Sequence, residues 1–262
     1  MKEFKIRCSA ISKIMAGEIG LTEVQIARVN ELSSRRNGAG KPLTDNMNAE
    51  LDKLVWKENN PSLQTGEKTY CKQWFKAELY NRNINFKNSV IEKGLMVEME
   101  GIELISEIVG INYSKNDEYF ENDFMQGSPD IVAEIVRDVK SSWDLFTFPM
   151  FETEIPNEDY YYQLQGYMIL TGIEKASLDY VLINTPKSLV SLDLKKLYYQ
   201  SGGTSENWTP EDYELLNANY TFDDIPKENR LKSFSITLDK TLDIKIKERV
   251  MLCRNYINSL TK

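Results

Sequence analysis

Ser128-Pro129-Asp130-Ile131-Val132-Ala133-Glu134-Ile135-Val136-Arg137-Asp138-Val139-Lys140 is the stretch on which the reading of this chain turns. Ile131-Val132 and Ile135-Val136 are β-branched pairs of strand character, and the residues between them, Ala133-Glu134, predict a turn. Asp138 and Lys140 are two apart on the second strand, so both side chains leave it on the same face. With the turn at Ala133-Glu134, Asp130 falls almost opposite Asp138 on the neighbouring strand. Two carboxylates then converge with an ammonium beside them. Hard divalent cations such as magnesium take oxygen ligands of this kind. A metal held there can polarise a phosphate and lower the pKa of a bound water. Lys140 is placed to orient or deprotonate that water, or to neutralise developing charge. The bland alternative is a surface hairpin with an ordinary Asp–Lys ion pair.

Upstream, residues 88–109 read as a helix. Ile91, Leu95, Ile102, Ile105 and Val109 recur at helical spacing and predict one buried face. Glu98 falls inside that stripe. A carboxylate on a buried face needs a positive partner, either a lysine or arginine or a metal ion. Downstream, Asp159 to Thr171 reads as a second helix containing Tyr162-Gln163-Leu164-Gln165-Gly166-Tyr167. Gln163 and Tyr167 are one turn apart and can face the same phosphate or metal site; the alternative is a buried polar network. Leu178 to Ile183 reads as a buried strand.

The N-terminal third is helical. Ser9 is placed to cap a short helix through Ile11, Ile14 and Met15, and Thr22 with Gln25 signals a capping box for a helix to about Arg35. Arg35-Arg36-Asn37-Gly38-Ala39-Gly40-Lys41 reads as a flexible basic loop. Further helices are expected near 45–58 and 65–81, the second with a basic stripe of Lys68, Lys72 and Lys76. Residues 201–233, with Trp208, Tyr213 and Tyr220, read as a polar surface excursion. The chain closes with a helix striped by Ile246, Val250, Cys253, Ile257 and Leu260. This order predicts an α/β (α+β) fold, a central mixed β-sheet flanked by helices. One domain, 1–262, is expected: a helical, basic region over 1–87, a catalytic core over 88–185, and an excursion and helix over 186–262.

Composition narrows the chemistry. None of the 262 residues is histidine. That excludes Ser-His-Asp and Cys-His nucleophiles and histidine-ligated zinc, and leaves oxygen ligands, lysine, tyrosine and water. Three scattered cysteines, Cys8, Cys71 and Cys253, fit a reducing cytoplasm and cannot supply a four-cysteine iron–sulfur cluster. No apolar run reaches membrane-spanning length. The net charge of −8 is uneven: residues 1–90 carry +5, residues 91–138 carry −9, and residues 139–262 carry −4. An acidic middle after a basic arm suits a protein that holds a cation and handles phosphate; the alternative is a plain surface whose charge is uneven by chance.

These motifs resemble the PD-(D/E)XK nucleases, and among them the lambda-exonuclease/YqaJ-like phage recombination exonucleases. The family pattern is a helix glutamate, Ser-Pro-Asp, Glu-x-Lys or Asp-x-Lys, then a helix with glutamines. It spans roughly residues 4–185 here. The resemblance implies a restriction-endonuclease-like core with Glu98, Asp130, Asp138, Lys140 and Gln163 at the catalytic site. It implies Glu98, Asp130, Asp138 and the Val139 carbonyl as ligands of Mg2+, or of Mn2+. It places Arg7, Ser9, Gln165, Tyr167, Arg35 and Arg36 toward DNA. Asp138 stands where the family more often has glutamate, which shortens that ligand by one methylene. The implied activity is magnesium-dependent degradation of one strand of duplex DNA from an end, usually 5′ to 3′, for annealing recombination. The implied partners are DNA ends, a single-strand-annealing or single-strand-binding protein, and two further copies in a homotrimer. An endonuclease or RecB-like module, a non-catalytic DNA-end-binding protein on the same fold, and a generic α/β protein are the alternatives.

Overall fold

The structure, a computed structural model, describes residues 2–17, 19–82, 88–200, 202 and 209–260. In chain order the elements are β1 (Ile6–Arg7), α1 (Ser12–Met15), α2 (Glu23–Arg36), α3 (Asp45–Asn59), α4 (Thr65–Tyr80), α5 (Ser89–Val109), β2 (Phe120–Glu121), β3 (Met125–Gly127), β4 (Ile131–Val132), β5 (Val136–Ser141), α6 (Glu158–Thr171), β6 (Lys175–Val181), α7 (Lys187–Gln200), α8 (Pro210–Ala218), β7 (Leu231–Thr237) and α9 (Leu242–Ser259). The chain divides into two compact units. One comprises residues 1–6, 10–83 and 244–262, and the other residues 7–9 and 84–243. The closing helix therefore joins the N-terminal helices rather than the segment that precedes it.

In the first unit, the Thr22 side chain accepts from the Gln25 N–H and Gln25 answers to the Thr22 N–H, so α2 begins with the expected capping box. Ser9 does not cap α1: a 3-10 turn over Cys8–Ala10 intervenes, and Ile11 holds the cap position without a side-chain bond. On α9 four of the predicted stripe residues, Ile246, Val250, Cys253 and Ile257, are buried, while Leu260 lies just past the helix end and is half-buried. Arg249 beside that stripe is also buried; it donates to the Glu67 carboxylate on α4 and to the Gly17 carbonyl.

The second unit is built on a four-stranded sheet in the order β4-β5-β6-β7. β4 and β5 form an antiparallel hairpin, β5 and β6 run parallel with α6 as their crossover, and β7 returns antiparallel to β6. Three elements here were not foreseen: α7, α8, which forms within the expected excursion, and β7, which takes residues 231–233 out of it. Trp208 and the Tyr213 side chain lie outside the described residues, while Tyr220 is buried with its ring edge-on to Trp143 at 5.8 Å.

The two central helices lie on opposite faces of β5. Toward α5, a Cβ on Gly101 would stand 3.2 Å from both Val139 and Val181, so the glycine permits the close approach. Toward α6, Asp138 meets Gln163 and Lys140 meets the Tyr160 ring. The predicted stripe on α5 needs correction. Ile102 and Ile105 are buried, but Ile91 is 54% and Leu95 72% exposed, and Val109 is exposed too. The buried face instead runs Lys93, Val97, Gly101, Ile102, Leu104 and Ile105. A lysine and a glycine on that face disguise its periodicity, and Ile91 and Leu95 belong to a cleft wall.

Candidate active site

The β4–β5 register fixes the acidic pair. Ile131 pairs with Arg137 and Val132 with Val136. Continued by one residue, this register sets Asp130 opposite Asp138. Asp130 Oδ2 accepts from the Val139 N–H at 2.6 Å, so the carboxylate occupies the strand edge where β4 has ended. Within a strand, the carbonyl of a residue lies along the same edge as its N–H, which puts the Val139 oxygen on the Asp130 side.

Asp138 is buried. Its Oδ1 accepts from Gln163 Nε2 at 3.0 Å, and Gln163 Nε2 also donates to the Tyr167 hydroxyl at 2.8 Å. The other oxygen is held by the Lys140 ammonium at 2.6 Å, a charge-assisted contact. Lys140 also lies over the Tyr160 ring, 5.0 Å from its centre.

The charges couple as their closeness requires. Burial, reinforced by the neighbouring Asp138 charge, pushes the Asp130 carboxyl up to about 7 against an opposing Val139 hydrogen bond. Burial works against the Lys140 ammonium, but the charges of Asp138 and Asp130 outweigh it and hold its pKa above the ordinary lysine range. In this state Lys140 is a fixed cation rather than a ready base.

Glu98 reaches the same place from α5, and its charge is felt at Asp130. Its side chain is 16% exposed and is held by Lys115 at 2.6 Å. The positive partner that sequence demanded is thus a loop lysine, which no periodicity announced. Among the described residues, no three acidic, cysteine or histidine side chains are gathered tightly enough to hold a metal by themselves. The donors nonetheless fit a hard cation that keeps several waters and takes one or two carboxylates. Asp138 turns a buried oxygen toward the Lys140 ammonium at the cleft, and burial with the Asp138 charge raises the Asp130 carboxyl beside it, so an added positive charge would be favoured there. A cleft of about 450 Å³ opens here, lined by Ile91, Leu95, Glu98, Asp130, Lys140 and Tyr160 among others.

The remaining site candidates separate. Arg7 and Ser9 are exposed, and Cys8 between them is buried in the same unit as the acidic pair. A Cβ on Gly127 would meet Tyr167 Cε1 at 2.7 Å and Cys8 Sγ at 2.9 Å, so Gly127 is the spacer that lets both pack there. Tyr167 is itself buried, so it supports Gln163 rather than presenting a surface to DNA. Gln165 has no exposure: its amide donates to the Thr237 carbonyl and accepts from the Asp239 N–H, finishing the end of β7. It is not available to DNA. Arg35 and Arg36 belong to the other unit and the last turn of α2, not a loop. There Arg36 pairs with Asp52 at 2.8 Å, and Arg35 donates to the Lys41 and Pro42 carbonyls.

Comparison with known proteins decides the fold. A phage-related exonuclease from Haemophilus somnus 129PT superposes with a TM-score of 0.66 and 25% identity, covering 99% of this chain and 96% of that one. The chain has the lambda-exonuclease-like PD-(D/E)XK nuclease fold. An alkaline exonuclease, LHK-Exo, from Laribacter hongkongensis has the same fold at a TM-score of 0.55 and 11% identity, over 97% of this chain and 88% of that one. LHK-Exo in complex with dAMP matches equally. No family model and no curated protein sequence matches. Within this nuclease fold, Asp130, Asp138 and Lys140 sit at the open end of the β4–β5 hairpin.

Proposed function

We propose that the chain is a divalent-metal-dependent exonuclease that hydrolyses one strand of linear duplex DNA from an end, 5′ to 3′. The observation that carries this reading is the meeting of Asp130, Lys140 and Glu98 at one cleft, with Asp138 buried against Lys140, in a fold shared with a phage-related exonuclease. Asp130, Asp138, the Val139 carbonyl and Glu98 would hold Mg2+, or Mn2+ in its place. The metal, when bound, supplies an activated water and a counter-charge for the phosphate. Lys140 holds a positive charge beside Asp138 and steadies the negative charge that develops on the phosphate. Gln163 fixes the Asp138 carboxylate and is itself fixed by Tyr167. Arg7 and Ser9 are the exposed groups for DNA near this site. The product single strand suits hand-over to a strand-annealing or single-strand-binding protein in phage-type recombination in the cytoplasm. A homotrimer closing around DNA is the assembly that accords with this reading, since enclosure offsets weak attraction between an acidic protein and a polyanion.

The test uses linear and closed-circular duplex DNA with Mg2+, comparing wild type with Asp130→Ala and Lys140→Ala. Digestion of linear DNA alone, lost in both variants, supports the reading. Cutting of closed circles means an endonuclease, and binding of ends without hydrolysis means a non-catalytic end-binding protein. Unchanged activity in the variants removes the site. Comparing 5′-phosphorylated with 5′-hydroxyl ends tests polarity.

A further inference from the structure

Lys93 lies on the buried face of α5 with no exposed surface. Its ammonium donates to the Ser142 carbonyl at 2.6 Å and the Trp143 carbonyl at 3.1 Å, and lies 5.4 Å from the centre of the Phe222 ring. Among the described residues no carboxylate pairs with it directly; Asp144 acts only at a distance, and burial pushes its pKa down to about 8. A buried lysine without a partner acid is costly, and a methionine of similar length would fill the same space without that cost. The cost therefore points to what the ammonium holds.

Its two acceptors follow directly on β5, whose Asp138 and Lys140 form the site. The same exit is pinned from the other side, where Thr185 donates to the Trp143 carbonyl at 3.1 Å and Ser142 donates its N–H to Val181 at 3.1 Å. On α5, Lys93 stands five residues before Glu98, and Gly101, where a Cβ would crowd Val139 and Val181, stands three after it. Glu98 is thus suspended between two anchors, a polar clamp and a steric contact. Both anchors join the helix that carries Glu98 to the strand that carries Asp138.

We propose that Lys93 is a positioning residue that sets the Glu98 carboxylate against Asp130 and Asp138, and so sets the affinity of the site for a divalent cation. This rests on the metal-dependent reading above. Lys93 touches neither the cation nor DNA and acts through backbone alone. Groups that orient metal ligands from behind change affinity by about 10–100-fold when removed.

The experiment is a Mn2+ binding titration, following free Mn2+ by electron paramagnetic resonance, on wild type, Lys93→Met and a destabilised control, Leu189→Ala. The control truncates a buried α7 residue outside the cleft lining. Lys93→Met should weaken Mn2+ binding by about 10–100-fold and raise the Mn2+ needed for half-maximal DNA digestion in step, with KM for DNA unchanged. Leu189→Ala should lower the melting temperature with wild-type Mn2+ affinity. Should Lys93→Met not fold, Lys93→Gln takes its place with the same expectation. Wild-type Mn2+ affinity in the Lys93 variant, or an equal loss in Leu189→Ala, overturns the positioning role. Absence of both Mn2+ binding and digestion in wild type overturns instead the metal-dependent function on which it rests.

Discussion

Replacing Asp130 with asparagine isolates the charge that this site holds in check. Burial and the Asp138 charge raise the Asp130 carboxyl from 3.8 to about 7. That is roughly three pH units, or about 4 kcal/mol at about 1.4 kcal/mol per unit. Asp130 keeps some solvent contact and Lys140 lies near, so the working figure is about 1–4 kcal/mol. The sign follows from linkage. Below about pH 4 the carboxyl is protonated in both folded and unfolded chains, and its contribution to stability is intact. Between pH 4 and 7 the unfolded chain ionises first, so this contribution is lost as pH rises; above 7 the loss is complete. Asparagine keeps an acceptor for the Val139 N–H but has no charge to lose. Urea denaturation at pH 4.5 and pH 8, in chelator, should therefore show wild type losing stability relative to Asp130→Asn by about 1–4 kcal/mol across the interval. Titrating groups distant from Asp130 cancel in the comparison, because both proteins carry them in the same surroundings. At pH 8, Mn2+ should restore wild type, by supplying the missing positive charge, and leave Asp130→Asn unmoved. Parallel pH dependences in the two proteins would falsify the coupling between Asp130 and Asp138.

Three further outcomes are expected. Gly127→Ala places a methyl against Tyr167 and Cys8 and should cost about 1–3 kcal/mol in chemical denaturation, with a fall in activity as Tyr167 is displaced from Gln163; an unaltered midpoint would show that the packing yields. Gln165→Leu leaves the Thr237 carbonyl and Asp239 N–H without their partner and should cost about 1–3 kcal/mol, while DNA affinity stays at the wild-type value; weakened DNA binding in a fully folded variant would return Gln165 to the interface. Arg249→Met strands the buried Glu67 carboxylate and should destabilise by about 3–5 kcal/mol, whereas Arg249→Met with Glu67→Leu should recover much of it; a double variant as unstable as the single one would refute the pairing.

The residues 128–140 were legible because their constraints are local. A hairpin register follows from the position of its turn, and the register alone sets Asp130 opposite Asp138. Alternation along a strand puts Lys140 on the side of Asp138, whatever the rest of the chain does. Gln163 and Tyr167 were legible for a similar reason, since a helical turn separates them. The α9 stripe could be read because its buried face is wholly apolar at the predicted positions.

What failed to show in sequence depends on partners far along the chain. Glu98 needed a cation, but only the fold brings Lys115, 17 residues away, to it. Nothing local marks Lys93 as buried; the carbonyls that accept from it lie 49 and 50 residues downstream. Ile91 and Leu95 looked like core because apolar spacing does not reveal whether a face meets another element or lines a cleft. Gln165 and Gln163 are two residues apart on one helix, and nothing local tells which faces the acidic pair and which finishes β7. Sequence by itself determined the acidic hairpin, its ammonium and the absence of histidine from any site, because strand alternation and composition do not depend on distant partners. Tertiary structure alone decided which charges meet, which face of α5 is buried and how Glu98 is held, because those depend on where distant backbone and charge come to rest.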